Sequence, residues 1–243
     1  MRADLVIEHG QSSSNSHVHI QVLVGTQTTA EEHLVLTSCQ IAVLGKFQST
    51  YGEEHWAAVK NILKYLRRTK DSFLVYGEGD LQVSGYTDAS FQSDKDDCKS
   101  QSGYVFTMNA EVFVSKSSKQ DTTADSTTEA KYIAASDAAK EVVWIKKFIT
   151  ELGVVPSIVD PIPVYCDNNG AVAQAKEPRS HQKSKHVLRL YHLILEIIGR
   201  QDMKIERVPT DQNIADPLTK ALHQGKFDQH VNAMGIRYMG DWL

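Results

Sequence analysis

The 243-residue chain has only three cysteines, Cys39, Cys98 and Cys166, far apart and odd in number. That argues against a disulfide framework, and without a CxxC pair there is no thiolate zinc site; a reducing, intracellular setting, cytoplasmic or nuclear, is expected. No run approaches 18 apolar residues, so no helical membrane span is expected. The first ten residues carry one arginine and a short mixed run, which is not the pattern of a secretory signal. A strong basic excess is missing too: 26 Lys and Arg stand against 30 Asp and Glu, a net charge of −4. The broad positive footprint usual for nucleic-acid binders is therefore absent. Aromatic residues are absent before Phe47, and eleven of residues 11–30 are Ser, Thr, Asn or Gln. Such a segment has little with which to build a core, so residues 1–46 are predicted to form a poorly ordered arm, with Val18–Val24 and Leu34–Leu36 the only stretches able to pair as edge strands. The chain as a whole is 41% apolar and 23% charged, which excludes wholesale disorder.

What is present is a run of regular elements. Trp56, Val59, Leu63 and Leu66 recur at helical spacing and predict a helix over 53–68, followed by a short strand at 73–76. Leu81, Val83, Gly85 and Thr87 alternate with polar residues, which puts Asp88 at or near a strand end. Residues 103–108 and 111–114 read as two more strands. Ser126-Thr-Thr-Glu129 is a capping box, and the apolar period from Ala130 to Leu152 continues until Gly153. Ile162–Cys166 reads as a strand, 184–198 as a helix, and Met203–Val208 as a last strand. Asn213 is expected to cap a short helix with Pro217 in its first turn. The order βββαβαβα over 81–222 predicts an α/β mixed sheet with helices on its faces.

Four carboxylates occupy informative places. Asp88 is at a strand, Glu129 at a helix start, Asp167 at a strand end and Asp216 near a helix start. Crevices in α/β sheets form at strand C-terminal ends. Carboxylates gathered there repel one another unless protonated or neutralised by cations, and hard divalent ions are the economical partners. Each residue also has a structural role open to it: Glu129 as partner of the Ser126 cap, Asp167 in an Asx turn into Asn168-Asn169-Gly170, Asp216 on a helix dipole, Asp88 as a soluble strand end. Spacing alone leaves both readings open.

The local words go further. YTDAS (86–90), SKQDTTADSTTEAKY (118–132), YCDNNGAVAQAKEP (165–178), KHVLRLYHLI (185–194) and VPTDQNIADPLTK (208–220) strongly resemble the ribonuclease H domain of copia-type retrotransposon Pol polyproteins. The resemblance runs from about Tyr51 to MGIRYM at 234–239, and GEEHW onward resembles the tether that joins that domain to the reverse transcriptase. It implies a ribonuclease H-like fold, a five-stranded mixed sheet flanked by helices. It implies a metal-dependent endonuclease that cuts the RNA strand of RNA–DNA hybrids with two Mg²⁺ ions, Mn²⁺ being an alternative. Asp88, Glu129, Asp167 and Asp216 match its four catalytic, metal-binding positions. Asp88 and Asp167 would hold or bridge the ions, Glu129 would hold one and orient water, and Asp216 would complete the other site. The expected division is an arm over 1–46, a tether over 47–80, the ribonuclease H-like domain over 81–222 and a tail over 223–243, together the terminal piece of a polyprotein.

The match has departures. Ser115 stands where the family usually has Trp, the Asn109–Val114 stretch lacks expected glycines, and Lys131 replaces an acidic residue two positions after Glu129. No polymerase, protease or integrase motif is present in these 243 residues. Phosphate contacts are expected from Lys176, Arg179, Lys183, Lys185, His186 and Arg189, a run opposed by Glu177 alone. His186 matches a recurrent family position, and a helix-start histidine contacting backbone or phosphate explains it equally well. Other retroelement Pol products are the expected partners. A second reading also stays open, that of a decayed or domesticated fragment that binds nucleic acid without turnover. Residues 81–222 carry 17 basic and 19 acidic side chains, so without the four site carboxylates that segment is basic.

Overall fold

The computed structural model describes residues 52–74, 81–94, 97–153, 155–176 and 185–238. The arm expected over 1–46 lies outside the described residues. Helix α1, Glu53–Arg68, follows the expected bounds, with Glu53 and Glu54 at its positive end and Arg67 and Arg68 at its negative end. Its inward face differs from the expected stripe: Ile62 is buried with Val59 and Leu66 partly covered, whereas Trp56 and Leu63 face out. On the inward side Tyr65 meets Phe227 edge-on, with ring centroids 6.0 Å apart. Strand β1, Ser72–Leu74, comes next.

Strands β2 (Val83–Ser90), β3 (Gln101–Met108) and β4 (Glu111–Lys119) form an antiparallel meander. β4 runs five residues past the expected end, so the missing glycines do not abolish it. They leave a mark at the β3–β4 turn, where Asn109 and Ala110 both take positive φ, 55° and 72°, and the register shifts at Phe106/Thr107. Helix α2, Thr127–Leu152, begins where Ser126 Oγ accepts from the Glu129 N–H (3.2 Å) and ends at Gly153 with φ 66°. Strand β5 is Ile162–Cys166.

Helix α3, Asn169–Lys176, stands where the sequence suggested a turn. Asn168 Oδ1 accepts from the Ala171 N–H at 2.8 Å, so the Asn-Asn-Gly word opens a helix. Helix α4 is Lys185–Gly199 and strand β6 is Met203–Arg207. The short helix expected after Asn213 is instead a 3₁₀ turn, Asp216–Leu218. The Asn213 side chain is engaged elsewhere, donating to the Thr87 carbonyl and accepting from the Ala215 N–H, and so does not cap a longer helix. Helix α5 (Gln224–Ala233) and strand β7 (Ile236–Tyr238) give regular structure to most of the expected tail, and β7 pairs antiparallel with β1.

The main sheet has the order β4-β3-β2-β5-β6, with β2, β5 and β6 parallel and β3 and β4 antiparallel. One face buries Phe106, Val164 and Ile205 against α2 and α4, where Ala135, Ala138 and Ala139 let α2 lie close. The other face buries Val105 and Val112 against Leu218, Val231, Met234 and Ile236. Each fully buried aliphatic side chain contributes about 1.5–3 kcal/mol relative to exposure, so both layers hold the sheet.

Candidate active site

The parallel pairing of β2 with β5 sets Thr87 opposite Cys166. The next residues, Asp88 within β2 and Asp167 just past the end of β5, therefore stand side by side. Asp216 arrives from the 3₁₀ turn, which three contacts hold down. Asn213 Nδ2 donates to the Thr87 carbonyl at 3.0 Å, Ser117 Oγ donates to the Leu218 carbonyl at 2.6 Å, and Thr219 Oγ1 donates to Asp88 Oδ2 at 2.5 Å. Gly103, paired with Asp88 across β2 and β3, gives the turn its space: a Cβ there would meet Leu218 Cβ at 2.8 Å. Asp88, Asp167 and Asp216 are all buried, and one oxygen of each lies within 4.8 Å of the others.

Glu129 is buried at the start of α2, but it stands outside this trio. Its Oε2 accepts from the Asp125 N–H at 2.8 Å while its own N–H serves the Ser126 cap. The capping role open to it in the sequence is thus partly realised, one residue upstream of the usual box.

Lysines balance the trio. Lys131 Nζ lies 2.9 Å from Asp88 Oδ1 and bonds Asp167 Oδ1. Lys220 Nζ lies 3.0 Å from Asp216 Oδ1, and Lys226 Nζ 3.6 Å from Asp216 Oδ2. Burial raises the Asp88 pKa, but the Lys131 charge, the Thr219 hydroxyl and Lys220 outweigh it and hold the carboxyl below its ordinary value. Burial and the Asp88 charge together push Asp216 up, against the pull of Lys220 and Lys226. Burial lowers Lys131, and its two carboxylate partners more than reverse that. Lysine contacts at Asp88, and burial followed by the Asp88 charge at Asp216, thus shift the two carboxyls in opposite directions.

The donor set suits a hard divalent cation. Asp88 Oδ1 and both Asp216 oxygens are buried and face only lysine ammonium groups, with no neutral hydrogen-bond donor, so three buried carboxylates share one small volume with cations as their counter-charges. Of the residues expected to face phosphate, Lys176 ends α3 and Arg189 lies on α4, both exposed. Lys185 and His186 lie in the first turn of α4; Arg179 and Lys183 lie outside the described residues. The sequence reading missed Thr219, Lys220 and Lys226, and it gave Asn213 a capping role without its contact to Thr87. The one available signal was the spacing of Lys220 four residues after Asp216, an ion-pair spacing.

A five-stranded sheet in this order, with one aspartate on β2, a second just past the adjacent β5 and a third delivered from a turn, defines a ribonuclease H-like fold. No protein-family model matches the chain. It is 39% identical over 196 residues to the retrovirus-related Pol polyprotein from transposon TNT 1-94 of Nicotiana tabacum, across 81% of this chain and 14% of that protein. It is 32% identical over 194 residues to the Pol polyprotein from transposon RE1 of Arabidopsis thaliana, across 79% and 13%. Among solved structures, an RNase H1 isolated from compost, LC11-RNase H1, aligns at a TM-score of 0.44 and 17% identity over 62% of this chain and 98% of that one. Over about four-fifths of its length the chain is homologous to part of the copia-type Pol polyproteins, and it spans about 14% of the length of the tobacco relative.

Proposed function

We propose that the chain is a metal-dependent endonuclease that hydrolyses the RNA strand of RNA–DNA hybrids. The observation that carries this reading is the convergence of Asp88, Asp167 and Asp216 from two parallel strands and a distant turn, with one oxygen of each within 4.8 Å of the others and lysine ammonium groups as their counter-charges. Asp88 and Asp167 would hold an ion between them, Asp216 would complete a second position, and Glu129 would join by turning its carboxylate away from Asp125. Bound Mg²⁺ or Mn²⁺ would supply an activated water and charge stabilisation for the leaving oxygen.

The protein's own groups do the remaining work. Asp88 is kept ionised at neutral pH, and Thr219 fixes the direction of its Oδ2. The tightly packed 3₁₀ turn sets where Asp216 stands relative to the sheet. The basic run Lys176, Arg179, Lys183, Lys185, His186 and Arg189 would seat the hybrid through phosphates, as shape-directed recognition requires. On this reading the protein works inside the cell, in cytoplasm or nucleus, beside other products of its Pol polyprotein.

The test is cleavage of an end-labelled hybrid by the purified protein with Mg²⁺ or Mn²⁺, beside Asp88→Asn. Cuts confined to the RNA strand and abolished by Asp88→Asn are expected. Hybrid binding without cleavage would replace this reading with that of a nucleic-acid-binding unit without turnover.

A further inference from the structure

The position where Lys131 stands is the one departure from the family words that reaches the centre itself. Its Nζ lies 2.9 Å from Asp88 Oδ1 and bonds Asp167 Oδ1, the two carboxylates that the β2–β5 pairing sets side by side. Asp88 Oδ2 already accepts from the Thr219 hydroxyl, so Oδ1 is the oxygen left to an ion, and Lys131 sits on it. An ammonium held there repels a divalent cation that approaches the same two carboxylates. Lys220 and Lys226 approach Asp216 from the rim, with side chains 37% and 31% exposed, whereas the Lys131 side chain is 14% exposed. Lys131 is therefore the most deeply seated of the three cations around the centre. Its four-carbon stem and residual exposure give it a way out.

We propose that Lys131 is an internal competitor for the metal seat: it balances the buried carboxylates when no metal is bound, and it must swing out before a divalent ion can bridge Asp88 and Asp167. This rests on the metal-dependent reading above and adds a metal threshold to it. Lysine at this position weakens divalent binding and stabilises the metal-free fold, two effects of one contact. A substitution that keeps the stem and removes the charge should uncouple them.

The experiment measures Mn²⁺ binding without nucleic acid, by electron paramagnetic resonance of the free ion, together with metal-free melting curves. Wild type, Lys131→Gln, Lys131→Arg and the double variant Lys131→Gln with Asp88→Asn are compared. Lys131→Gln is expected to bind Mn²⁺ about tenfold to a hundredfold more tightly, the range set by losing one or two charge-assisted hydrogen bonds to carboxylates. Its metal-free melting temperature should fall and should recover with Mn²⁺. Lys131→Arg should bind as weakly as wild type, and the double variant should lose the gain. A folded Lys131→Gln that binds no more tightly than wild type overturns the proposal while leaving the metal reading intact. Should Lys131→Gln not fold alone, folding on addition of Mn²⁺ at concentrations that leave the wild-type melting curve unmoved supports the proposal, and no rescue overturns it. If no variant binds Mn²⁺ at all, the metal reading falls and this inference falls with it.

Discussion

Replacing Gly103 with alanine tests whether backbone contact between sheet and turn builds the acidic centre. An added Cβ would stand 2.8 Å from Leu218 Cβ, 2.9 Å from Thr219 Cγ2 and 3.5 Å from the Ala215 carbonyl. Leu218 Cβ is fixed to the backbone, so no rotamer change relieves that contact. The 3₁₀ turn must lift from β3, and Leu218 is fully buried in the layer beneath. Overpacking of this kind costs about 1–3 kcal/mol. For a domain of this size each kcal/mol lowers the melting temperature by about 2–4 °C, so a fall of about 2–12 °C is expected. The lift also carries Thr219 away from Asp88 Oδ2 and shifts Asp216, the residue at the head of the turn. Misplacing catalytic groups by even a fraction of an ångström is costly, so single-turnover cleavage of a hybrid, measured well below the melting temperature, should drop at least about tenfold. Gly153→Ala is the control. Its φ of 66° makes alanine unfavourable by about 1 kcal/mol, yet nothing lies within 4 Å of the new Cβ. That variant should lose stability and keep full cleavage. A Gly103→Ala protein that melts with the wild type, or that melts early and cleaves normally, would refute the reasoning.

Three further outcomes follow from particular contacts. Ala110→Gly should stabilise the protein by about 0.5–1 kcal/mol in urea denaturation, because Ala110 sits at φ 72° in a two-residue hairpin where glycine carries no Cβ penalty. Ser126→Ala should cost about 1 kcal/mol by the same measurement, because the Glu129 N–H loses its acceptor at the start of α2. His230 is buried, and burial followed by the charges of Lys226 and Lys220 holds its pKa below the ordinary value of 6.5. A histidine depressed in this way contributes stability that is full above its unfolded pKa and is lost as pH falls below it. Stability measured by urea denaturation should therefore decline as pH falls below about 6.5, with a slope from this group of at most about 1.4 kcal/mol per pH unit, and His230→Gln should flatten it.

Elements with local signals were legible in the sequence. α2 begins at the Ser126 cap and ends at Gly153 as expected, and α1 keeps its bounds. α3 was not legible, because Asn168-Asn169-Gly170 serves a turn and a helix start equally well and only the Asn168–Ala171 contact decides between them. β7 is three residues long and exists through pairing with β1, more than 160 positions earlier, which no local pattern can reveal. In the site, the places of Asp88 and Asp167 followed from strand ends. The side-chain partners did not: Glu129 turning to Asp125, and Lys131 reaching from α2 to both Asp88 and Asp167, depend on rotamers chosen in the assembled site.

The β1–β7 ladder has a mechanical consequence. Ser72 pairs with Tyr238, Phe73 with Arg237 and Leu74 with Ile236, so the segment between them enters and leaves through neighbouring, oppositely directed strands. Tension applied to the chain before Ser72 and after Tyr238 meets this ladder at the same end. The three pairs then open in succession, Ser72–Tyr238 first, in unzipping rather than shear. The clip yields at low force and takes up the load before the five-stranded sheet feels it. An unfolding motor or a taut linker would thus free α1 and the last strand while the carboxylate-bearing sheet stayed whole.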